Sequence, residues 1–295
     1  MKILTFFAVL SLFVITNTYA ANSDSLFFRQ AEDSLVVLAN SIVEPDSDQQ
    51  RRENNDRFKG YFEEILGQAG AFNHPFDSLN TVSMLYAPDR QFRIITWYVP
   101  LSGEQFEYVG YIQRNPEAAG QGHAIVALTD ATEEINGQSC AEGHADKWYG
   151  AFYYDLIANS IGDEVFYTLL GWKGDNPQTR KRVIEPLTFS NDKPRFGKPV
   201  FGEPYTDACR IIFRYSARAS MSLLYKEDFY QTADGIYDMI VFDRLVPRHE
   251  SLEGHYQFYV PEVNIFDGLF FNGKKWVSVK DVDARMPDPE RDDQK

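Results

Sequence analysis

A cysteine and a histidine close together in sequence, Cys140 and His144, have the spacing that best matches a metal site. A thiolate and an imidazole separated by three residues can reach one zinc ion, and His123 could supply a third ligand. Structural zinc sites normally take four protein ligands, and the sequence offers no second pair at a comparable spacing. Cys140 also has a competing partner in Cys209. The sequence therefore favours a protein without a metal or another cofactor.

Acidic residues in apolar surroundings could instead support glycoside hydrolysis, which needs two carboxyl groups facing each other across a sugar-binding cleft. Asp155, Asp243 and Glu262 fit that description. Asp243 lies in the apolar run 240–245, where burial would raise its pKa. It could equally pair with Arg244 or face solvent on the alternate side of a strand. The sequence alone does not select an opposed pair.

Other catalytic motifs are missing from the sequence. A serine hydrolase elbow of the form Gly-x-Ser-x-Gly does not occur, and neither does a phosphate-binding or dinucleotide-binding glycine loop. The acidic residues at 130–134 and the pair Asp175–Asn176 do not match the spacing of a calcium-binding loop. The lack of these motifs favours a non-enzymatic protein, but it does not exclude an enzyme.

Aromatic residues make up 15% of the chain and are densest between residues 148 and 189. If Trp148 and Trp172 were exposed, they could form a platform for a carbohydrate or a peptide. Most of the aromatic rings have apolar neighbours on both sides along the sequence. The pattern therefore favours a core built from rings over a binding surface.

The chain has two cysteines, Cys140 and Cys209. An even pair in an exported protein can form a disulfide. Closing a loop of 69 residues in this way would stabilise the fold by about 4 kcal/mol on the chain-entropy view. Two free thiols too far apart to meet are an equal alternative, because sequence does not give their distance.

The first 20 residues have the organisation of a secretory signal peptide. Lys2 supplies a positive start, residues 3–15 are almost wholly apolar, and cleavage is expected after Ala20. The apolar run is too short to span a bilayer comfortably, and no later stretch has the pattern of a transmembrane helix. We therefore expect an exported protein, either periplasmic or secreted.

The formal net charge of −14 makes the chain acidic. An acidic surface repels the phosphates of nucleic acids and the headgroups of anionic lipids. Neither nucleic acid nor a membrane surface is therefore expected as a partner.

Two segments with helical periodicity predict an N-terminal helical hairpin. Apolar residues recur at steps of three and four over residues 24–43, and again in the second half of residues 48–68. Beyond residue 75 the period changes to two, as in the alternation at 92–99, which predicts antiparallel strands. We expect an α+β fold that is mainly antiparallel β, with the hairpin packed on a large β-sandwich or curved sheet. A propeller is the less favoured alternative.

The predicted organisation places the hairpin and the β-rich body in one compact domain. Its segments are the signal peptide at 1–20, the helical hairpin at 21–75, the β-rich body at 76–284 and a frayed polar tail at 285–295. Within the body, the aromatic block at 148–189 is predicted to be the inner sheet on which both the hairpin and the C-terminal strands pack. Pro186 would place the third strand of this block at an edge or a bulge.

Several blocks of the sequence resemble those of uncharacterised exported proteins from Bacteroidota bacteria. The blocks are FDSL at 76–79, PDRQFRIITW at 88–97, YTLLGWKGDN at 167–176, ASMSLLY at 219–225 and IVFDRLVP at 240–247. The resemblance covers most of the chain after the signal peptide and implies a location in the cell envelope or outside the cell. It implies no activity and no catalytic residues.

Export, acidity and the lack of a recognisable catalytic set favour a non-enzymatic protein of the cell envelope. Such a protein would be a binding or assembly component whose partner is another envelope protein or a carbohydrate. The alternative is a carbohydrate-active hydrolase with paired carboxylates in an aromatic cleft. That alternative predicts that Asp243 and Glu262 face each other about 5 to 10 Å apart across an aromatic groove.

Overall fold

The computed structural model describes residues 25–119, 125–135, 137, 140 and 143–283. Within these residues, N-terminal helices pack on a body of three antiparallel sheets, which confirms the predicted α+β fold class. The predicted signal peptide and the predicted polar tail lie outside the described residues. No helix in the described part of the chain is both long and apolar enough to cross a membrane.

The N-terminal helices form the predicted hairpin. Helix α1 covers residues 25–41, and helix α2 covers Asp48–Leu66. Each helix buries the apolar stripe that its spacing predicts. The buried side chains include Phe28, Ala31, Leu35 and Ala39 of α1, and Phe58, Phe62, Ile65 and Leu66 of α2. A short helix α3, Pro116–Ala119, follows the first hairpin of strands, and single 3₁₀ turns occupy Ala71–Asn73, Ser102–Glu104, Thr132–Glu134, Glu250–Leu252 and Tyr256–Phe258.

The first sheet contains four antiparallel strands in sequence order. They are β1 (Ser83–Tyr86), β2 (Phe92–Leu101), β3 (Gln105–Arg114) and β4 (Ile125–Thr129). One face of this sheet packs on the helical hairpin through Trp97 and Tyr111. The opposite face, which includes Phe92 and Ile112, packs on the second sheet. Because alternate residues of a strand point to opposite faces, β2 needs apolar residues on both.

The second sheet comes from the aromatic block and is the middle layer of the molecule. Its strands are β5 (Phe152–Ile161), β6 (Glu164–Asn176), β7 (Thr179–Ser190), β8 (Lys193–Phe196) and β9 (Ile211–Ser216). Strand β7 is central, since it pairs with β6 on one side and with β8 and β9 on the other. Pro186 is predicted to mark either an edge strand or a bulge. The edge strand is wrong, and the pairing of β7 with β6 continues through Pro186 without a change of register, so no bulge lies there either.

Pro186 fits a central strand because it lies opposite the gap between β8 and β9, which pair with the same side of β7. Strand β9 pairs with residues 179–184 of β7, and β8 pairs with residues 187–190. The carbonyl of Pro186 faces this gap and accepts a hydrogen bond from the N–H of Gly197 at 2.7 Å. The N–H that proline lacks would point the same way, so no ladder hydrogen bond is lost.

The third sheet is a four-stranded antiparallel meander at the C-terminus. Its strands are β10 (Leu223–Thr232), β11 (Gly235–Pro247), β12 (Tyr259–Phe271) and β13 (Trp276–Val282). It packs on the face of the second sheet that the first sheet leaves uncovered, through residues such as Phe242 and Leu269 against Phe166 and Ile184.

The layers therefore follow the order helical hairpin, first sheet, second sheet and third sheet. This order corrects the prediction that the helical hairpin packs on the aromatic block. The hairpin instead covers the outer face of the first sheet, while the aromatic block has a sheet on each of its faces. Alternation along the strands reveals that both faces are buried, but it does not identify the element that covers each face.

Candidate functional site

The possible zinc pair is not formed. Cys140 and Cys209 are joined as a disulfide, with their Cα atoms 4.8 Å apart, so Cys140 has no thiolate to offer a metal. His144 instead contacts the guanidinium of Arg195, and His123 lies outside the described residues. Across the described ranges, no three His, Cys, Asp or Glu side chains converge on a point that could hold a metal ion.

Asp243 and Glu262 do not face each other across a cleft. Asp243 accepts a hydrogen bond from the backbone N–H of Ser222 at 2.6 Å, and burial raises its pKa. Glu262 lies 4.0 Å from Arg244, whose guanidinium also binds Asp267. The two acids therefore have separate partners, Ser222 for Asp243 and Arg244 for Glu262. The opposed pair that the hydrolase hypothesis requires is absent at these two positions.

The two tryptophans considered as a ligand platform are not exposed. Trp148 is 0% exposed, and its indole N–H donates to the hydroxyl of Tyr153 at 2.9 Å. Trp172 is half-buried, and its ring packs against Tyr98 and Phe106 at centroid distances of 5.4 and 5.2 Å. Trp148 is therefore a core residue, which agrees with the apolar residues that flank it in the sequence. The hypothesis of an exposed ligand platform is wrong for this tryptophan.

Two clefts, one at each interface of the second sheet, are better candidates for a functional site. The first has a volume of about 420 Å³ and lies against the first sheet. Its lining includes Phe106, Tyr108, Asp130, Lys173, Asp175 and Lys181, and we call it the lysine cleft. The second has a volume of about 520 Å³ and lies against the third sheet. Its lining includes Asn159, Tyr225, Asp228, Tyr237, Asp238 and Phe271, and we call it the tyrosine cleft.

The floor of the lysine cleft contains a buried amine. The side chain of Lys173 is 5% exposed, and its Nζ atom donates to the carbonyl of Gly150. The same atom lies 3.7 Å from a carboxylate oxygen of Asp130 and 4.0 Å from the centre of the Tyr108 ring. Burial lowers the pKa of Lys173 to about 8, although the charge of Asp130 opposes this shift.

Neighbouring groups hold the lysine cleft in shape. Asp175 binds Lys181 and Arg214, each at 2.6 Å, and these partners lower its pKa even though burial alone would raise it. A Cβ atom on Gly174 would lie 2.1 Å from the ring of Phe106, so only glycine lets this ring cover the strand. The cleft is thus built by close packing as well as by ion pairs.

The tyrosine cleft is shaped by a bulge in strand β10. The register with β11 shifts between Lys226 and Tyr230, and Asp228 adopts a positive φ of 48° there. Asp238 fixes the bulge, because its carboxylate accepts hydrogen bonds from the hydroxyl of Tyr225 at 2.6 Å and from the N–H of Asp228 at 2.8 Å.

A hydrogen-bond relay orients the amide of Asn159 in the tyrosine cleft. The indole N–H of Trp276 donates to the hydroxyl of Thr168 at 3.2 Å, and that hydroxyl donates to Oδ1 of Asn159 at 2.8 Å. Because Oδ1 is the acceptor in this relay, the NH₂ group of Asn159 remains as a donor for a ligand. Trp276 and Thr168 are both buried, so the orientation of the amide is set from within the core.

Asp155 lies near this cleft and belongs to strand β5. Its carboxylate accepts a hydrogen bond from the N–H of Leu156 at 2.9 Å. Burial raises the pKa of Asp155, and the nearby charge of Glu227 raises it further. Of the three acids selected from the sequence, Asp155 alone influences a residue that lines either cleft, since its charge acts on Tyr225.

Sequence reasoning missed the two residues that define these clefts. Lys173 directly follows the largely apolar and aromatic run 167–172 within a predicted strand, a signal that could have identified it as buried. Asn159 falls in the segment 159–163, which the sequence pattern predicts as the connection between two paired strands of the aromatic block. The structure instead continues β5 to Ile161, and Asn159 pairs in register with Phe166.

Comparisons of the chain with protein-family models, with curated proteins and with solved structures find no match. Membership of an exported Bacteroidota family therefore stays a prediction. The function has to be argued from the chemistry of the two clefts.

Proposed function

We propose that the protein is an exported, non-enzymatic binding component of the bacterial cell envelope, and that it binds a carbohydrate in the tyrosine cleft. The observation that carries the proposal is that the oriented amide of Asn159 lines the same cleft as the aromatic residues Tyr225 and Phe271. A sugar presents apolar C–H faces together with hydroxyl groups, so it is bound by aromatic rings next to fixed polar groups.

The charge of the tyrosine cleft narrows the ligand class. Asp228 and Asp238 both line it, and the chain as a whole carries a net charge of −14. Negative potential disfavours anionic polysaccharides and phosphorylated ligands. A neutral oligosaccharide is the ligand that this surface accommodates best.

Two features support export. The first 20 residues have the pattern of a secretory signal peptide. The disulfide between Cys140 and Cys209 suits an oxidising compartment such as the periplasm. The acidic balance of the chain is compatible with a location in the periplasm or outside the cell.

Titration calorimetry with neutral oligosaccharides tests the proposal. The panel contains β-1,4-linked glucose, β-1,4-linked N-acetylglucosamine and α-1,4-linked glucose oligomers. We expect one of them to bind, and we expect Asn159→Ala and Tyr225→Ala each to weaken that binding about tenfold, which corresponds to 1.4 kcal/mol. Tyr256→Ala is the matched control, because Tyr256 is an exposed ring outside the cleft.

Two outcomes would overturn the binding proposal. The first is that no sugar of the panel binds to the wild-type protein. The second is that a sugar binds with the same affinity to wild type, Asn159→Ala and Tyr225→Ala. Melting curves of the variants separate a loss of binding from a loss of folding.

The alternative function, a carbohydrate-active hydrolase, is favoured by one observation. Burial raises the pKa of Tyr225, and its hydrogen bond to Asp238 and the charges of Asp238, Glu227 and Asp155 raise it further. The Tyr225 ring therefore lies among the acidic residues Asp238, Glu227 and Asp155. Asp243 and Glu262, the acids that the sequence suggested as a pair, are not among them. Release of shorter sugars from the oligosaccharide panel, abolished in Asp238→Asn, would support the hydrolase over the binding protein.

A further inference from the structure

The lysine cleft supports an inference that does not depend on carbohydrate binding. We propose that Lys173 is a nucleophile that condenses with the carbonyl group of a small, uncharged aldehyde or ketone bound in the lysine cleft. The product is an imine that holds the ligand covalently.

The position of the amine carries this proposal. Lys173 lies at the floor of a cleft of about 420 Å³, so a small ligand can approach an otherwise buried Nζ atom. Its contacts with the Gly150 carbonyl and the Tyr108 ring fix the direction of the side chain. A nucleophile held in one orientation meets a bound carbonyl without first losing rotational freedom.

The surroundings of Lys173 also favour the reactive, neutral amine. The charged and titratable groups that face it are Asp130, Tyr108, Tyr149, Asp175, Lys181 and Glu185. Burial and the positive charge of Lys181 destabilise the ammonium form, and the carboxylates oppose them without cancelling the effect. Because the resulting pKa is about 8, roughly one tenth of the amine is neutral at pH 7, compared with well under a hundredth for an exposed lysine.

Asp130 is positioned to move the protons of the condensation. Its carboxylate lies 3.7 Å from Nζ and can accept a proton from the amine as the C–N bond forms. The carbonyl oxygen takes up the two protons that the neutral amine gives up, and it leaves as one molecule of water when the C=N bond forms. No oxidant or reductant is needed, and the ligand is released by the reverse hydration.

Reductive trapping tests the proposal in the wild-type protein. Propionaldehyde and sodium cyanoborohydride convert each imine into a stable N-propyl lysine, which peptide mass mapping then locates. At pH 7 we expect Lys173 to be labelled at least about tenfold faster than Lys274, an exposed lysine that serves as the internal reference. Because both lysines react in one sample, their ratio is independent of the reductant.

The pH dependence of this ratio provides a second readout. Below about pH 8 the neutral fraction of Lys173 rises in parallel with that of an ordinary exposed lysine, so the ratio is constant. Above about pH 8 the neutral fraction of Lys173 levels off while that of an ordinary exposed lysine keeps rising, so the ratio falls.

Labelling of Lys173 that is no faster than labelling of Lys274 would overturn the proposal, and so would a ratio that does not fall above pH 8. Lys173→Arg keeps the positive charge but cannot form an imine, so residue 173 should carry no label. Because the charge of Asp130 also stabilises the ammonium form of Lys173, Asp130→Asn is compared with wild type above pH 8, where the amine is mostly neutral in both proteins. There Asp130→Asn is expected to slow trapping at Lys173 at least about fivefold, because the proton acceptor is lost. Asn159→Ala alters the tyrosine cleft and should leave trapping unchanged. The two proposals can therefore fail separately.

Discussion

At the scale of single residues, Glu185 and Arg210 form an ion pair that is buried in the core. Both side chains are 0% exposed, and Nε of Arg210 lies 2.7 Å from a carboxylate oxygen of Glu185. The hydroxyl of Tyr153 donates to the other carboxylate oxygen, and a second guanidinium nitrogen donates to the carbonyl of Gly137. Such a pair contributes little net stability, because desolvation offsets the attraction, but it leaves a strongly unfavourable charge when one partner is lost.

Arg210→Met is therefore expected to lower the free energy of unfolding by about 3–5 kcal/mol, since Glu185 would stay buried without a counter-charge. The double variant Glu185→Leu with Arg210→Met should cost less than the sum of the two single changes. Denaturant unfolding followed by circular dichroism measures all three variants. Additive losses, or a cost under about 1 kcal/mol for Arg210→Met, would contradict this account.

At the scale of elements, the sequence pattern predicts local structure better than it predicts partners. The helical stripes and the alternation at 92–99 identify α1, α2 and β2, because those periods depend only on which side of an element is buried. Pro186 is misplaced because its fit depends on a gap between two strands that are distant in sequence. Lys173 and Asn159 are missed for the same reason, since their partners come from other elements.

The disulfide is the element-scale feature that the sequence leaves open. It joins the loop before β5 to the segment before β9, and the two cysteines are 69 positions apart in the sequence. Replacing both residues, Cys140→Ser and Cys209→Ser, should lower the free energy of unfolding by about 4 kcal/mol. Without the cross-link the unfolded chain has more conformational entropy, which favours unfolding. Denaturant midpoints of wild type and variant provide the measurement.

Alkylation followed by intact mass analysis is the control for this experiment. The non-reduced protein should take up no iodoacetamide, and the reduced, unfolded protein should take up two groups, one for each cysteine. Uptake without prior reduction would show free thiols. A wild type and a double variant of equal stability would show that the bond adds nothing to the fold.

For the whole molecule, the important property is that each layer depends on its neighbours. Trp97 belongs to the core between the helices and the first sheet, Trp148 to the core between the first and second sheets, and Trp276 to the core between the second and third sheets. The second sheet is apolar on both faces, so neither the first sheet nor the third sheet can leave without exposing it to water. Both clefts lie at its interfaces, so their geometry depends on the complete stack.

This arrangement predicts that the described layers unfold in one step, and the tryptophans can report on it separately. The chain contains four tryptophans, so three variants that each keep one of Trp97, Trp148 and Trp276, with the others replaced by Phe, place a single probe in each core. In each variant the fluorescence and far-UV circular dichroism transitions should coincide in denaturant. If the Trp97 signal changed at lower denaturant than the circular dichroism of the same variant, the helical hairpin would be separating first. The protein would then unfold as two units, the helical hairpin and the stack of sheets. Of the two clefts, only the tyrosine cleft would keep its shape after the hairpin separates, because no residue of the hairpin lines it.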